Sequence, residues 1–252
     1  MAPEPLTAEW LWREYWLLGK GQRQIAEENG LSPTAVYRLL RRHQIPARPR
    51  GIPPNHVALT PTAVAFLEGE LLGDGCLVPT PRGHSVRYVH SSKFRDYIRW
   101  LADTLASFGI APSGQIRQRS RHNHAWYDFQ TRSYRELRPL YDRWYPDGRK
   151  HIPDDLVITP LLLRQFFLGD GSCCRHGNGY QVYLYCNCYP WEEVAQLAEK
   201  IARAIAVKTD SIYVQSSPYG PRIYFGQAVV VQRFFDYIGP CPISCYQYKW
   251  PD

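Results

Sequence analysis

Two short stretches, Gly73-Asp74-Gly75 and Gly169-Asp170-Gly171, set the same acid between the same two glycines, 96 positions apart. Each closes an apolar run that opens on a Thr-Pro pair, Thr60-Pro61 in one case and Thr159-Pro160 in the other. Thr is a good helix N-cap and Pro suits the first helical position, so each run predicts a helix with its acid at the C-terminal end. Two such helices packed side by side need small residues where their backbones touch; Gly69, Gly73 and Gly169 supply them. The two carboxylates would then meet on a pseudo-two-fold axis, where they repel each other unless divalent cations lie between them. Hard oxygen ligands select Mg²⁺, with Mn²⁺ the expected substitute. Such ions activate water and stabilise in-line displacement at a phosphodiester. Either stretch alone would read as an ordinary Asp-Gly turn; the matched pair points to a metal site.

The elements that must position these acids repeat as well. After each Asp comes a polar turn and a strand, Arg87-Tyr88-Val89-His90 in one copy and Gln181-Val182-Tyr183-Leu184 in the other. A helix follows (Phe94 to Phe108, Trp191 to Ile205), then a strand hairpin (Gln115 to Thr131, Ser211 to Phe225), then a closing helix (Tyr134 to Trp144, Ala228 to Tyr237). Residues 60–155 and 156–252 therefore read as two copies of one unit, α-β-β-α-β-β-α. The expected fold is α+β, with two pseudo-symmetric halves carrying antiparallel sheets. A period this long with only two copies indicates a paired domain, not a solenoid.

Leu67-Glu68-Gly69-Glu70-Leu71-Leu72-Gly73-Asp74-Gly75 resembles the LAGLIDADG motif, and Leu163-Arg164-Gln165-Phe166-Phe167-Leu168-Gly169-Asp170-Gly171 resembles it again. The resemblance runs from about Leu59 to the C-terminus. It implies a single-chain homing endonuclease that cuts both strands of a long double-stranded DNA site and leaves a short 3′ overhang. Asp74 and Asp170 would bind Mg²⁺, helped by the backbone carbonyls of Gly73 and Gly169. The sheets would form a saddle over the major groove. Period-two spacing puts Arg117, Arg119 and Arg121 on one face of the first. Tyr213, Gln215, Arg222 and Tyr224 alternate with apolar residues in the second, and Arg87 is a further DNA-binding candidate. Lys93 stands where relatives keep a basic or polar residue near the scissile phosphate, which implies a catalytic lysine. The second half departs from this, with Cys188-Tyr189 in the equivalent stretch. Lys150 or Lys249, after the two closing helices, are the candidates to substitute. Gln165 is a second departure, since a small residue is expected at that helix contact. The half-sites should then be inequivalent and the target only loosely palindromic.

Residues 1–45 read separately, as a small all-α domain. Gly30 turns the chain between two short helices, and Ser32-Pro33 opens the second of them. This order resembles a helix-turn-helix, with Arg38, Arg41 and Arg42 outward as DNA-binding candidates. Residues 46–59, rich in Pro, read as an extended linker.

Bulk properties agree. The 252-residue chain is 44% hydrophobic, which excludes a disordered chain, and its net charge of +7 suits a polyanionic partner. No apolar run approaches the ~20 residues that span a bilayer, so no membrane partner is expected. An intracellular protein, cytoplasmic or organellar, is expected, with its seven cysteines reduced and spaced unlike structural zinc ligands. Having both halves in one chain favours a monomer. His122-Asn123-His124 spells a nuclease signature but lacks the ββα unit that would carry it. Two other functions fit the pattern: a non-cleaving transcriptional regulator, against which both retained acids count, and a maturase whose partner is its own intron RNA.

Overall fold

The computed structural model describes residues 6–48, 55–81, 83–121 and 124–251; the side chains of Leu17, Arg121 and His124 also lie outside the described set. The expectations for Arg121 as a DNA contact, for His122-Asn123-His124 and for the middle of the linker therefore fall outside the described residues.

The two motif helices are α4 (Pro61–Leu72) and α7 (Pro160–Asp170). Each starts as the Thr-Pro pair dictates: Thr60 Oγ1 accepts from Ala63 N at 3.1 Å and Thr159 Oγ1 from Leu162 N at 3.2 Å. From Phe66 to Leu72 every α4 residue is buried, as a helix that is apolar nearly all round requires. What surrounds the pair is a four-stranded antiparallel sheet in each half. The first has the order β1-β2-β4-β3, with β1 Cys76–Pro79, β2 Val86–Ser92, β3 Arg117–Arg121 and β4 His124–Gln130. The second repeats it as β5-β6-β8-β7, with β5 Gly171–His176, β6 Gly179–Tyr185, β7 Tyr213–Ser217 and β8 Gly220–Phe225. Alternation along the strands sorts the faces: Val86, Tyr88 and His90 point into the core while Arg87 and Ser91 are exposed.

Amphipathic helices close the layers. Helices α5 (Arg95–Ser107) and α8 (Trp191–Ala204) bury Ile98, Leu101 and Leu105, and Val194, Leu197 and Ile201. Helices α6 (Arg138–Trp144) and α9 (Ala228–Ile238) end the halves. The expected mixed fold of two antiparallel halves is the fold observed, and one continuous core runs through both.

Three local features differ from the sequence reading. Helix α6 begins at Arg138, not Tyr134, because Tyr134 pairs its backbone with Val86 and gives its hydroxyl to the amide of Ala111, accepting at 2.8 Å. A 3₁₀ turn, Ser244–Lys249, follows α9. The first N-terminal helix α1 (Ala8–Trp12) widens into a π-helical turn over Arg13–Leu17. With α2 (Gln22–Glu28) and α3 (Pro33–Arg42) it packs a separate small core of Leu11, Ile25, Val36 and Leu40. Ser32 caps α3, as expected, accepting from Ala35 N at 3.1 Å. This helical unit touches the first half where Arg132 Nη1 donates to Leu18 O at 3.1 Å.

Candidate metal centre and nucleic-acid interface

The motif helices approach until backbone meets backbone. A Cβ placed on Gly73 or Gly169 would lie 3.4 Å from the other glycine's Cα. A Cβ on Gly69 would lie 2.7 Å from Gln165 Cβ. The large Gln165 is therefore accommodated by a glycine opposite it, which explains the departure noted in the sequence. Its buried amide finds no hydrogen-bonding partner among the described residues.

This contact delivers both acids to one place, but unequally. Helix α4 stops at Leu72, and Asp74 sits in the turn before β1, open to solvent. Helix α7 runs on through Asp170, which is half-buried, and Gly171 passes straight into β5. A Cβ on Gly73 would lie 3.6 Å from Asp170 Oδ2. Desolvation where the helix ends pack together raises both carboxyls above the usual carboxylate range, although Asp74 keeps a solvent-exposed edge. Asp170 reaches about 7, with the neighbouring Asp74 charge adding to the effect of burial.

A lysine closes each helix end. Lys150 Nζ donates to the carbonyls of Gly73 at 2.8 Å and Gly75 at 2.9 Å. Lys249 Nζ donates to Leu168 O at 2.7 Å and Gly169 O at 3.2 Å. Each ammonium thus satisfies orphan carbonyls at the negative end of a helix dipole. Burial lowers both pKa values, Lys249 to about 8, while the two aspartates pull the other way. Lys93, by contrast, is exposed over the Phe94 ring and, among the described residues, makes no hydrogen bond to either helix end; its charge is felt by Lys249. The pair at the acids is therefore Lys150 and Lys249, the residues the sequence offered as substitutes. Neither could be ranked over Lys93 by spacing, because the 3₁₀ turn that carries Lys249 to α7 has no periodic signature.

The donor set suits a hard divalent cation. Two carboxylates whose protonation is favoured by burial and mutual repulsion are what such a charge would neutralise. Gly73 O and Gly169 O already accept from lysines, and each carbonyl keeps a second lone pair. Among the described residues no third His, Cys, Asp or Glu joins them.

A polar cluster beneath the first acid was not anticipated. Glu70, fully buried, accepts from Tyr88 OH at 2.7 Å and Tyr97 OH at 2.8 Å, and His90 Nδ1 lies 2.9 Å from the Tyr88 hydroxyl. Burial pushes Glu70 up to about 7 and His90 down to about 3, which keeps the imidazole neutral. The tyrosine and the backbone of Glu70 crowd Gly75, where a Cβ would come within 2.7 Å of both. Two glutamates, Glu68 and Glu70, within an otherwise apolar buried helix were the available signal.

The candidate DNA-contact residues lie on the outer sheet faces. Arg87, Arg117 and Arg119 are exposed on the first, with Arg119 ion-paired to Asp128 and Ser91 Oγ donating to Asp128 Oδ1 at 2.7 Å. On the second, Tyr213 pairs across to Tyr224, and Gln215 to Arg222. Arg38, Arg41 and Arg42 are exposed on α3, outside both sheets.

The model of the LAGLIDADG DNA endonuclease family matches residues 64–231. The uncharacterized protein MJ1098 of Methanocaldococcus jannaschii is 28% identical over 197 residues, spanning 76% of this chain and 76% of that protein. Cytochrome b mRNA maturase bI2 of Debaryomyces hansenii is 25% identical over 148 residues, 52% of each chain. Among solved structures, the homing endonuclease I-WcaI bound to its DNA recognition sequence superposes with a TM-score of 0.66 at 20% identity, covering 76% of this chain and 87% of that one. This last likeness is one of fold.

Proposed function

Because the chain belongs to the LAGLIDADG DNA endonuclease family, we propose that it is a site-specific endonuclease that hydrolyses both strands of a long, loosely palindromic DNA target with Mg²⁺. The observation that carries this reading is the meeting of Asp74 and Asp170 at two abutting helix ends, each flanked by its own lysine. Asp74 and Asp170 would hold the ion, with Gly73 O and Gly169 O as further ligands; when bound, it supplies an activated water and charge stabilisation at the phosphodiester. Lys150 and Lys249 stay fixed by the helix-end carbonyls and offer positive charge to the phosphorane-like transition state on either strand. Lys93 adds a more remote charge on the Lys249 side. Arg87, Arg117, Arg119, Arg121, Tyr213, Gln215, Arg222 and Tyr224 contact the duplex. Arg38, Arg41 and Arg42 of α3 would add contacts outside the cut site, as a helix-turn-helix does. Both acids lie in one chain, so a monomer suffices.

Similarity to a cytochrome b mRNA maturase favours one second reading, in which intron RNA is also a partner. The experiment is Mg²⁺-dependent cleavage of a randomised duplex library, sequencing the cut ends, with Asp74→Asn in parallel. Recurrent long sites cut by wild type alone support the endonuclease. Binding without cleavage in Mg²⁺ or Mn²⁺ would overturn it in favour of a regulator or maturase.

A further inference from the structure

The two sheets repeat in topology and differ in the chemistry of their outer faces. Register places Arg117, Asp128 and Ser91 in one cross-strand row of the first sheet, and Arg119 beside Trp126 in the next. Arg87 stands on the same face of β2, across from Val78. This face offers the guanidinium forks of Arg87 and Arg117, with Arg119 held against the one carboxylate, Asp128, which also accepts from Ser91 Oγ. The second sheet carries a row of Tyr213, Tyr224, Tyr183 and Ser172, with Gln215, Arg222 and Tyr185 beside it and Gln181 beyond. Its rings lie against one another: Tyr183 and Tyr224 are 5.1 Å apart, and Tyr213 and Tyr224 6.3 Å.

The single arginine of this row is engaged within the protein. Its guanidinium lies 4.5 Å over the Tyr183 ring and donates to Gln215 Oε1 at 3.3 Å. Gln181 Oε1 likewise accepts from Tyr183 OH at 2.9 Å. These bonds leave each glutamine its NH₂ donors and the second lone pair of Oε1, the donor and acceptor that adenine N7 and N6 require, on a surface that is otherwise aromatic.

In the major groove a guanine edge shows two acceptors, O6 and N7, which match an arginine fork, and its cytosine partner shows an N4 donor, which matches a carboxylate. A thymine shows a methyl group and O4, and adenine shows N7 and N6, which match apolar rings and glutamine amides. We infer that the two sheets read half-sites of opposite composition: G·C-rich under Arg87, Arg117, Arg119 and Asp128, and A·T-rich under Tyr183, Tyr213, Tyr224, Gln181 and Gln215. The inference rests on the proposed reading only in requiring that the sheets bind duplex DNA.

The test is selection of full-length wild-type protein, in chelator so that nothing is cut, against a duplex library randomised across the whole site. Base frequencies at each position are then compared with those selected by Arg117→Lys/Arg119→Lys and by Gln181→Ala. Lysine keeps the charge but loses the fork, and Gln181 is a partly exposed strand residue whose loss leaves the core intact. One G·C-rich and one A·T-rich half-site are expected. The lysine variant should lose guanine preference roughly tenfold or more per position in the first only, and Gln181→Ala should relax the second only. Equal composition in both halves, or an arginine variant that relaxes the A·T-rich half, would overturn the inference. A library from which no sequence is enriched would overturn both this and the DNA-binding reading beneath it.

Discussion

The first half of the molecule supports its acid with a polar core and the second with an apolar one. Glu70, Tyr88 and His90 are buried and joined by hydrogen bonds beneath Asp74. In the second half the motif helix holds Phe166 where the first has Glu70, and strand register through β4 and β8 sets Val182 where the first has His90, both buried. Helix ends follow the same division: a turn carries Asp74 beyond α4, and α7 carries Asp170 within its last turn. A repeated motif thus fixes where two acids meet without making them equivalent. Their inequivalence comes from residues that the motif does not include.

The largest effects should come from the acids, which both halves supply. Asp74→Asn and Asp170→Asn should each reduce Mg²⁺-dependent cleavage by about 10³-fold or more, since each supplies half of the charge for the ion. DNA affinity should change only a few-fold in a filter-binding assay. Loss of binding in step with cleavage would contradict the metal role.

Next come the lysines. Lys150→Met and Lys249→Met should each slow one strand by about 10²-fold, of the order seen when a single transition-state donor is removed. Nicked DNA should then accumulate, with the nick on opposite strands for the two variants when end-labelled strands are followed. Equal slowing of both strands by either variant would contradict one lysine per strand. Lys93→Met should do less than either.

The cores should separate by how they fail. Glu70→Ala leaves two buried tyrosine hydroxyls without their acceptor, at a cost of roughly 2–4 kcal/mol. Glu70→Gln keeps an acceptor and should cost about 1 kcal/mol. At Phe166 the order reverses: Phe166→Leu should be mild and Phe166→Gln severe, because the side chain lies in the apolar core. Chemical denaturation measures all four.

Smallest is a pH effect. Asp170 and Glu70 have folded pKa values raised to about 7, so between the unfolded carboxylate range and 7 the native state holds more protons than the unfolded state. Stability of metal-free protein is therefore greatest below pH ~4 for these groups and falls as pH rises toward 7. Asp170→Asn should recover about 1 kcal/mol at neutral pH, a rise of roughly 2–4 °C in Tm without divalent metal. A lower Tm for that variant in calorimetry would contradict the shift.

The repeat made most of the fold legible. Thr-Pro helix starts, Gly-Asp-Gly ends and period-two strands are local signals, and each appears twice. What was hidden depends on contacts far apart in sequence. Gly69 admits Gln165 from the other half, which no local pattern announces. Lys249 reaches the end of α7 from a 3₁₀ turn 80 residues from Gly169. Lys93, at the position where the resemblance implies a catalytic lysine, stays exposed beside Phe94. Tyr134, expected to open a helix, is claimed instead by backbone pairing with Val86.

The most direct measurement is Mn²⁺ binding, followed by electron paramagnetic resonance, to full-length wild type and to Asp74→Asn/Asp170→Asn, each with its selected duplex. Mn²⁺ bound by wild type and lost from the double variant, with DNA still bound, is the expected result. Undiminished Mn²⁺ binding by the double variant would contradict a metal centre built on these two carboxylates.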